Sequence, residues 1–135
     1  MSRRLVLIDS SAWISYLAGA PSAPSRTIET LLLNHQAAVN SIIRIELLTG
    51  ARDEAQYAEL EDDLRGLRVL ALPDAVWRRA ERMRFQLKQV GRLIPIPDVI
   101  IACCALVHGC ELLHLDRHFD LIARTAPLKI YHLTR

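Results

Sequence analysis

Four carboxylates in this sequence stand where a solvated charge is out of place. Asp9 follows Leu5-Val6-Leu7-Ile8, and Glu46 lies inside Ile42-Ile43-Arg44-Ile45-Glu46-Leu47-Leu48. Asp98 precedes Val99-Ile100-Ile101-Ala102, and Asp116 follows Leu112, Leu113 and Leu115. An ionised carboxylate is costly to take out of water and must find cations, donors or a proton. Several brought together resist joint ionisation. A hard divalent cation such as Mg²⁺ or Mn²⁺ resolves both problems, because it takes oxygen ligands from carboxylates, water and phosphate. No Cys or His arrangement competes as a zinc site. Cys103 and Cys104 are neighbours on an expected helix and project about 100° apart. With Cys110 they read as reduced thiols of a cytosolic protein.

Each acid also admits a purely structural reading. Asp98 and Asp116 could each cap a helix. Asp9 could be a turn residue, and Glu46 could pair with an arginine such as Arg44, although adjacent helical residues do not face each other. What favours a joint site is that two of the acids end strands and two lie on strongly apolar helices.

The elements that would position them follow from pattern. Arg4–Ile8 is a short branched apolar run that suits a buried parallel strand. Ser10 or Ser11 can cap a helix carrying Trp13, Ile14 and Leu17, and 19–25, with two prolines, reads as a loop. A helix is expected over 25–35, a strand over 37–40, and a helix over 42–48 capped by Ser41 and stopped at Gly50. A charged helix over 53–64 and a strand over 67–72 come next. Asp74 is the expected cap of a long helix to Val90, whose Val76, Ala80, Met83, Leu87 and Val90 form a core-facing stripe. A helix apolar almost all round is expected over 98–108, followed by a strand over 111–115, a helix over 117–124 and a last strand over 129–133. Alternating strands and helices imply a three-layer α/β fold with a mainly parallel sheet. In such sheets ligand sites gather at the carboxyl ends of strands, where Asp9 and Asp116 fall.

The 135 residues, 51% hydrophobic and 24% charged, fit one globular domain. A net charge of +2 is too small to argue for a polyanion partner, but its distribution is lopsided. Residues 52–65 hold six acids and two bases, a net of −4; residues 74–92 hold six bases and two acids, a net of +4. That asymmetry hints at a negatively charged partner on one side. The first apolar run is too short for a signal-peptide core, and no stretch approaches the ~20 apolar residues of a membrane span. A cytoplasmic location without a membrane partner is therefore expected.

Four motifs together resemble the PIN-domain family, and within it the VapC-type toxins of toxin–antitoxin pairs. They are Leu7-Ile8-Asp9-Ser10-Ser11-Ala12-Trp13-Ile14; Ser41-Ile42-Ile43-Arg44-Ile45-Glu46-Leu47-Leu48-Thr49-Gly50; Ile94-Pro95-Ile96-Pro97-Asp98-Val99-Ile100-Ile101-Ala102; and Leu112-Leu113-His114-Leu115-Asp116-Arg117-His118-Phe119-Asp120. Their order and the chain length agree with the family over essentially the whole domain, residues 1–135. The resemblance implies a PIN-like α/β/α sandwich and a metal-binding catalytic cluster of Asp9, Glu46, Asp98 and Asp116. Ser11 matches a small hydroxyl position that supports the site. His114 departs from the threonine or serine common in relatives, and stands where it could support the acids or touch substrate. Asp120, beside Asp116, reads as a helix-surface residue, and His118 more readily as a surface group than as a site residue.

The implied activity is cleavage of RNA phosphodiester bonds with Mg²⁺ or Mn²⁺, leaving a 5′-phosphate and a 3′-hydroxyl. A structured transfer or ribosomal RNA is the implied substrate, recognised by shape, since aromatics make up only 5%. The arginines of the long helix could meet RNA backbone by charge alone. A cognate antitoxin and a homodimer are the implied partners, with Trp13, Ile14, Leu17 and Leu31 suited to contact or to the core. Two other classes remain open. A phosphoacceptor domain would want adjacent acids and a lysine near the site, whereas serines follow Asp9 and lysine occurs only at 88 and 129. A haloacid-type phosphatase would want a second aspartate where Ser11 stands. A PIN fold that only binds RNA or a partner is the third alternative.

Overall fold

A computed structural model of the chain describes residues 4–19 and 21–133. Its centre is a four-stranded parallel sheet of β1 (Val6–Ile8), β2 (Ala37–Val39), β3 (Arg68–Val69) and β4 (Glu111–Leu113), in the order β3-β2-β1-β4. β1 pairs Val6 with Ala37 on one side and Val6, Leu7 and Ile8 with Glu111, Leu112 and Leu113 on the other. Every residue of β1 and β2 is buried, as expected of central parallel strands covered on both faces. Seven helices flank the sheet among the described residues, giving the expected α/β/α layering: α1 (Ser10–Leu17), α2 (Ala23–Leu33), α3 (Ser41–Thr49), α4 (Glu54–Leu64), α5 (Asp74–Gln89), α6 (Ile96–His108) and α7 (Arg117–Ala123). No helix among these residues is long and apolar enough to cross a membrane.

Helix α6 is the internal helix. Val99 through Ala105 are buried without a break, including Cys103 and Cys104. Helix α5 packs on it through Val76, Ala80, Met83 and Leu87. Val90, the last residue of the expected stripe, is instead 61% exposed, because the helix ends at Gln89 and the chain turns through Gly91 at φ 78°.

The strands are shorter than the apolar runs suggest, because a strand can extend only where a neighbour offers backbone. Strand 67–72 contracts to β3, since β2 ends where Asn40 caps the next helix. Strand 111–115 stops at Leu113, whose carbonyl receives the Asp9 N–H at 2.9 Å just as β1 turns away. The expected last strand, 129–133, is a single parallel bridge between Leu112 and Ile130. The first strand begins at Val6 rather than Arg4.

Several caps also move by one residue. Asp9, not Ser10 or Ser11, caps α1, and Asn40, not Ser41, caps α3, its side chain accepting the Ile43 N–H at 2.9 Å. Both are the residue at which the chain is still extended, which is what a capping side chain requires. Pro73 precedes α5, so Asp74 lies inside the first turn, where it complements the helix dipole. Helix α2 starts within the expected 19–25 loop: Ser22 caps it, and Pro24 sits at a position that needs no N–H partner. Ala20 of that loop lies outside the described residues. Trp13 and Leu31 belong to the core, whereas Ile14 and Leu17, and Leu33 at the end of α2, are exposed.

Candidate metal centre

Because all four strands run parallel, their carboxyl ends share one edge of the sheet, and β1 and β4 are neighbours there. Asp9 leaves β1 at that edge. It is only 3% exposed, and its Oδ2 accepts the Ser11 N–H at 3.0 Å and the Ser11 hydroxyl. Its Oδ1 is buried and has no hydrogen-bond partner among the described residues. Asp116 comes from the turn after β4 and caps α7, accepting the His118 N–H at 3.0 Å.

The two helical acids join them. Glu46 projects from α3, and its Oε1 accepts the Ser10 hydroxyl at 3.0 Å. Burial pushes the Glu46 carboxyl above its ordinary pKa, and the charges of Asp9, Asp98 and Asp116 push the same way against the Ser10 hydrogen bond. Asp98 is the third residue of α6, not its cap, because the helix starts at Ile96 behind Pro95. Its Oδ2 lies 2.8 Å from His118 Nδ1. Burial raises the Asp98 carboxyl too, and Asp9 and Asp116 add to this while His118 opposes it.

All four expected acids therefore meet in one electrostatic neighbourhood. Among the described residues no lysine or arginine pairs with any of them, and His118 is the sole basic side chain paired with one of their carboxylates. Concentrated negative charge, an orphaned buried carboxylate oxygen and an all-oxygen donor set with one imidazole fit a hard or borderline divalent cation. Asp98, Asp116 and His118 each offer a ligand atom, all within 4.8 Å of one another.

Ser11 donates to Asp9, and its oxygen accepts the Leu115 N–H at 3.0 Å. His114 meets the turn that carries Asp116. Its side chain is 5% exposed, its Nδ1 accepts the Asp116 N–H at 3.0 Å, and its Nε2 lies 3.3 Å from Asp120. Its ring packs at a tilt against Phe119, and so shapes the turn that carries Asp116. Asp120 is exposed, as a helix-surface residue should be. Two contributors were undervalued by sequence reasoning, Ser10 and His118. The available signal was that both fall in the first turn of a helix beside a candidate acid.

The fold agrees with known proteins. The sequence matches the family model described as PIN domain over residues 6–125. It is 33% identical over 129 residues to Ribonuclease VapC11 of Mycobacterium tuberculosis, covering 93% of this chain and 96% of that protein. Among solved structures, VapBC2 from Rickettsia felis bound to a promoter DNA fragment superposes with a TM-score of 0.79 at 20% identity, covering 94% of this chain and 97% of that one. VapBC-1 from nontypeable Haemophilus influenzae gives 0.76 at 22% identity, covering 94% and 96%.

Proposed function

The chain belongs to the PIN-domain family, in its VapC-type branch, and from that premise we propose that it is a metal-dependent endoribonuclease acting as the toxin of a toxin–antitoxin pair. The observation that carries the reading is the mutual electrostatic coupling of Asp9, Glu46, Asp98 and Asp116, together with a buried Asp9 oxygen that has no hydrogen-bond partner among the described residues. These four carboxylates would hold Mg²⁺ or Mn²⁺. When bound, the cation supplies Lewis acidity and countercharge for a phosphodiester undergoing attack by water.

The chain's own residues do the rest. Ser10 and Ser11 hold Glu46 and Asp9 in fixed rotamers through their hydroxyls. A carboxylate of the cluster not fully occupied by the cation would accept the proton released by the attacking water. Arg78, Arg79 and Arg82 on the exposed side of α5 supply salt-sensitive attraction for the RNA backbone. A structured transfer or ribosomal RNA is the proposed substrate, residues 1–135 the nuclease domain, and the cytoplasm its place of action.

Two surfaces support the partners. A cleft of about 610 Å³ bounded by Tyr16, Leu17, Arg26, Leu32 and Leu64 suits an amphipathic antitoxin segment. Exposed Phe85, Val90, Leu93 and Ile96, at and beyond the α5–α6 groove, suit a homodimer face.

The test is to incubate protein freed of antitoxin with total RNA and with single-stranded DNA, using Mg²⁺, Mn²⁺ or chelator beside Asp98→Asn. Discrete RNA fragments that require metal and vanish in the variant are expected. Intact RNA in every lane from folded protein would move the assignment to a binding role, and DNA cleavage would overturn the substrate.

A further inference from the structure

We propose that His118 is a direct ligand of the cation in this site, its Nδ1 joining one oxygen each of Asp98 and Asp116, and that this nitrogen makes the site prefer Mn²⁺ to Mg²⁺. The inference rests on the metal-dependent reading above and names a ligand that the four-acid cluster does not include.

His118 Nδ1 lies 2.8 Å from Asp98 Oδ2 and 3.2 Å from Asp116 Oδ1. Two adjacent ligands on an octahedral cation with bonds of about 2.1 Å stand about 3.0 Å apart. The observed separations bracket that value. An imidazole nitrogen facing two carboxylate oxygens needs either its own proton or a cation between them.

The position is also held for the task. The His118 N–H is bound to Asp116 Oδ1, so the ring's backbone anchor is one of the carboxylates it accompanies. Asp98 and Asp116 have no lysine or arginine partner among the described residues, and Asp9 Oδ1 nearby has none of any kind there. His114 cannot serve instead, because its side chain is only 5% exposed and its Nδ1 already accepts the Asp116 N–H. His118 is partly exposed, so the ring can turn toward an arriving ion without unpacking the core.

The metal preference follows from ligand chemistry. Carboxylate and water suit Mg²⁺, whereas an imidazole nitrogen adds affinity mainly for transition metals. Losing it should therefore weaken Mn²⁺ binding far more than Mg²⁺ binding.

The experiment uses metal-free protein with Mn²⁺ alone and Mg²⁺ alone. Calorimetry gives the two dissociation constants, and pulsed EPR of bound Mn²⁺ reads any directly bonded nitrogen. On the unaltered chain a histidine nitrogen signal is expected, shifting as it should when histidine is labelled with ¹⁵N. In His118→Asn the signal disappears, and the Mn²⁺/Mg²⁺ affinity ratio falls by about tenfold, in the range that loss of a supporting group gives. Bound Mn²⁺ with no nitrogen signal, or a signal that survives His118→Asn, overturns the assignment and leaves the carboxylate site standing. Failure of the unaltered chain to bind either cation overturns the metal reading as well. The nitrogen signal is read without a variant, so it does not depend on how His118→Asn folds.

Discussion

The hydroxyl of Ser11 accepts the backbone N–H of Leu115 at 3.0 Å across 104 residues of sequence. The same hydroxyl donates to Asp9 Oδ2. One small side chain thus ties the turn after β1 to the turn after β4 and orients a buried carboxylate. Ser11→Ala breaks both links, and an unfolding free energy lower by about 1–2 kcal/mol is expected from urea titration. Ser11→Thr should keep most of it. Equal losses in both variants would show that the methyl-bearing side chain does not fit, and an unchanged Ser11→Ala would remove the hydroxyl from the account.

Ser10 does for Glu46 what Ser11 does for Asp9, across 36 residues. Ser10→Ala leaves the core untouched, since Ser10 is only part-buried, but frees the Glu46 carboxylate to rotate. Metal affinity or cleavage rate should fall by roughly tenfold with little change in melting temperature. A large drop in melting temperature with normal activity per folded molecule would contradict this division of roles.

Asp98→Asn relieves repulsion that the metal-free fold otherwise carries. Glu46 and Asp98 both hold protons more tightly folded than unfolded, chiefly because they are buried. The folded chain therefore binds more protons than the unfolded one just above the usual carboxylate range, and stability falls as pH rises through that range. In chelator, Asp98→Asn should melt roughly 3–5 °C higher than the unaltered chain at pH 7, with a shallower decline from pH 4 to 7. Mn²⁺ should raise the melting temperature of the unaltered chain and leave that of the variant nearly unmoved. Scanning calorimetry checks all three.

Phe119 is fully buried, lies against His114 with ring centroids 5.1 Å apart, and directly follows His118, which meets Asp98. Phe119→Ala should cost about 3–5 kcal/mol through the cavity it leaves. Because α7 carries both the Asp116 cap and His118, metal affinity should fall with stability rather than independently of it.

Burial pushes the thiols of Cys103 and Cys110 up to about 11. At pH 8 both are almost wholly protonated and poor nucleophiles. Iodoacetamide should label neither in the folded chain over minutes, and both once the chain is unfolded in urea. Rapid labelling of Cys103 in the native protein would contradict the buried placement of α6.

Much of this protein was legible in the chain because burial leaves a mark on residue type. The Val76-Ala80-Met83-Leu87 spacing located the face of α5, and the unbroken apolar run after Asp98 located the internal helix. The four acids stood out because each interrupts apolar sequence, which a solvated carboxylate has no reason to do. What the residues could not reveal was anything set by a partner distant in sequence. Strand ends depend on how much backbone a neighbour offers, so β3 and β4 came out shorter than their apolar runs and 129–133 kept only one bridge. Side-chain direction has the same origin. His114 and His118 flank Asp116 with similar local sequence, yet one is buried beneath the turn and the other meets Asp98 on a different helix. Only the order β3-β2-β1-β4 brings the ends of β1 and β4 side by side, and only the packing of α6 and α7 sets Asp98 against His118. Residue type records where burial is needed; which residues meet depends on a sheet order and helix packing that the whole chain decides.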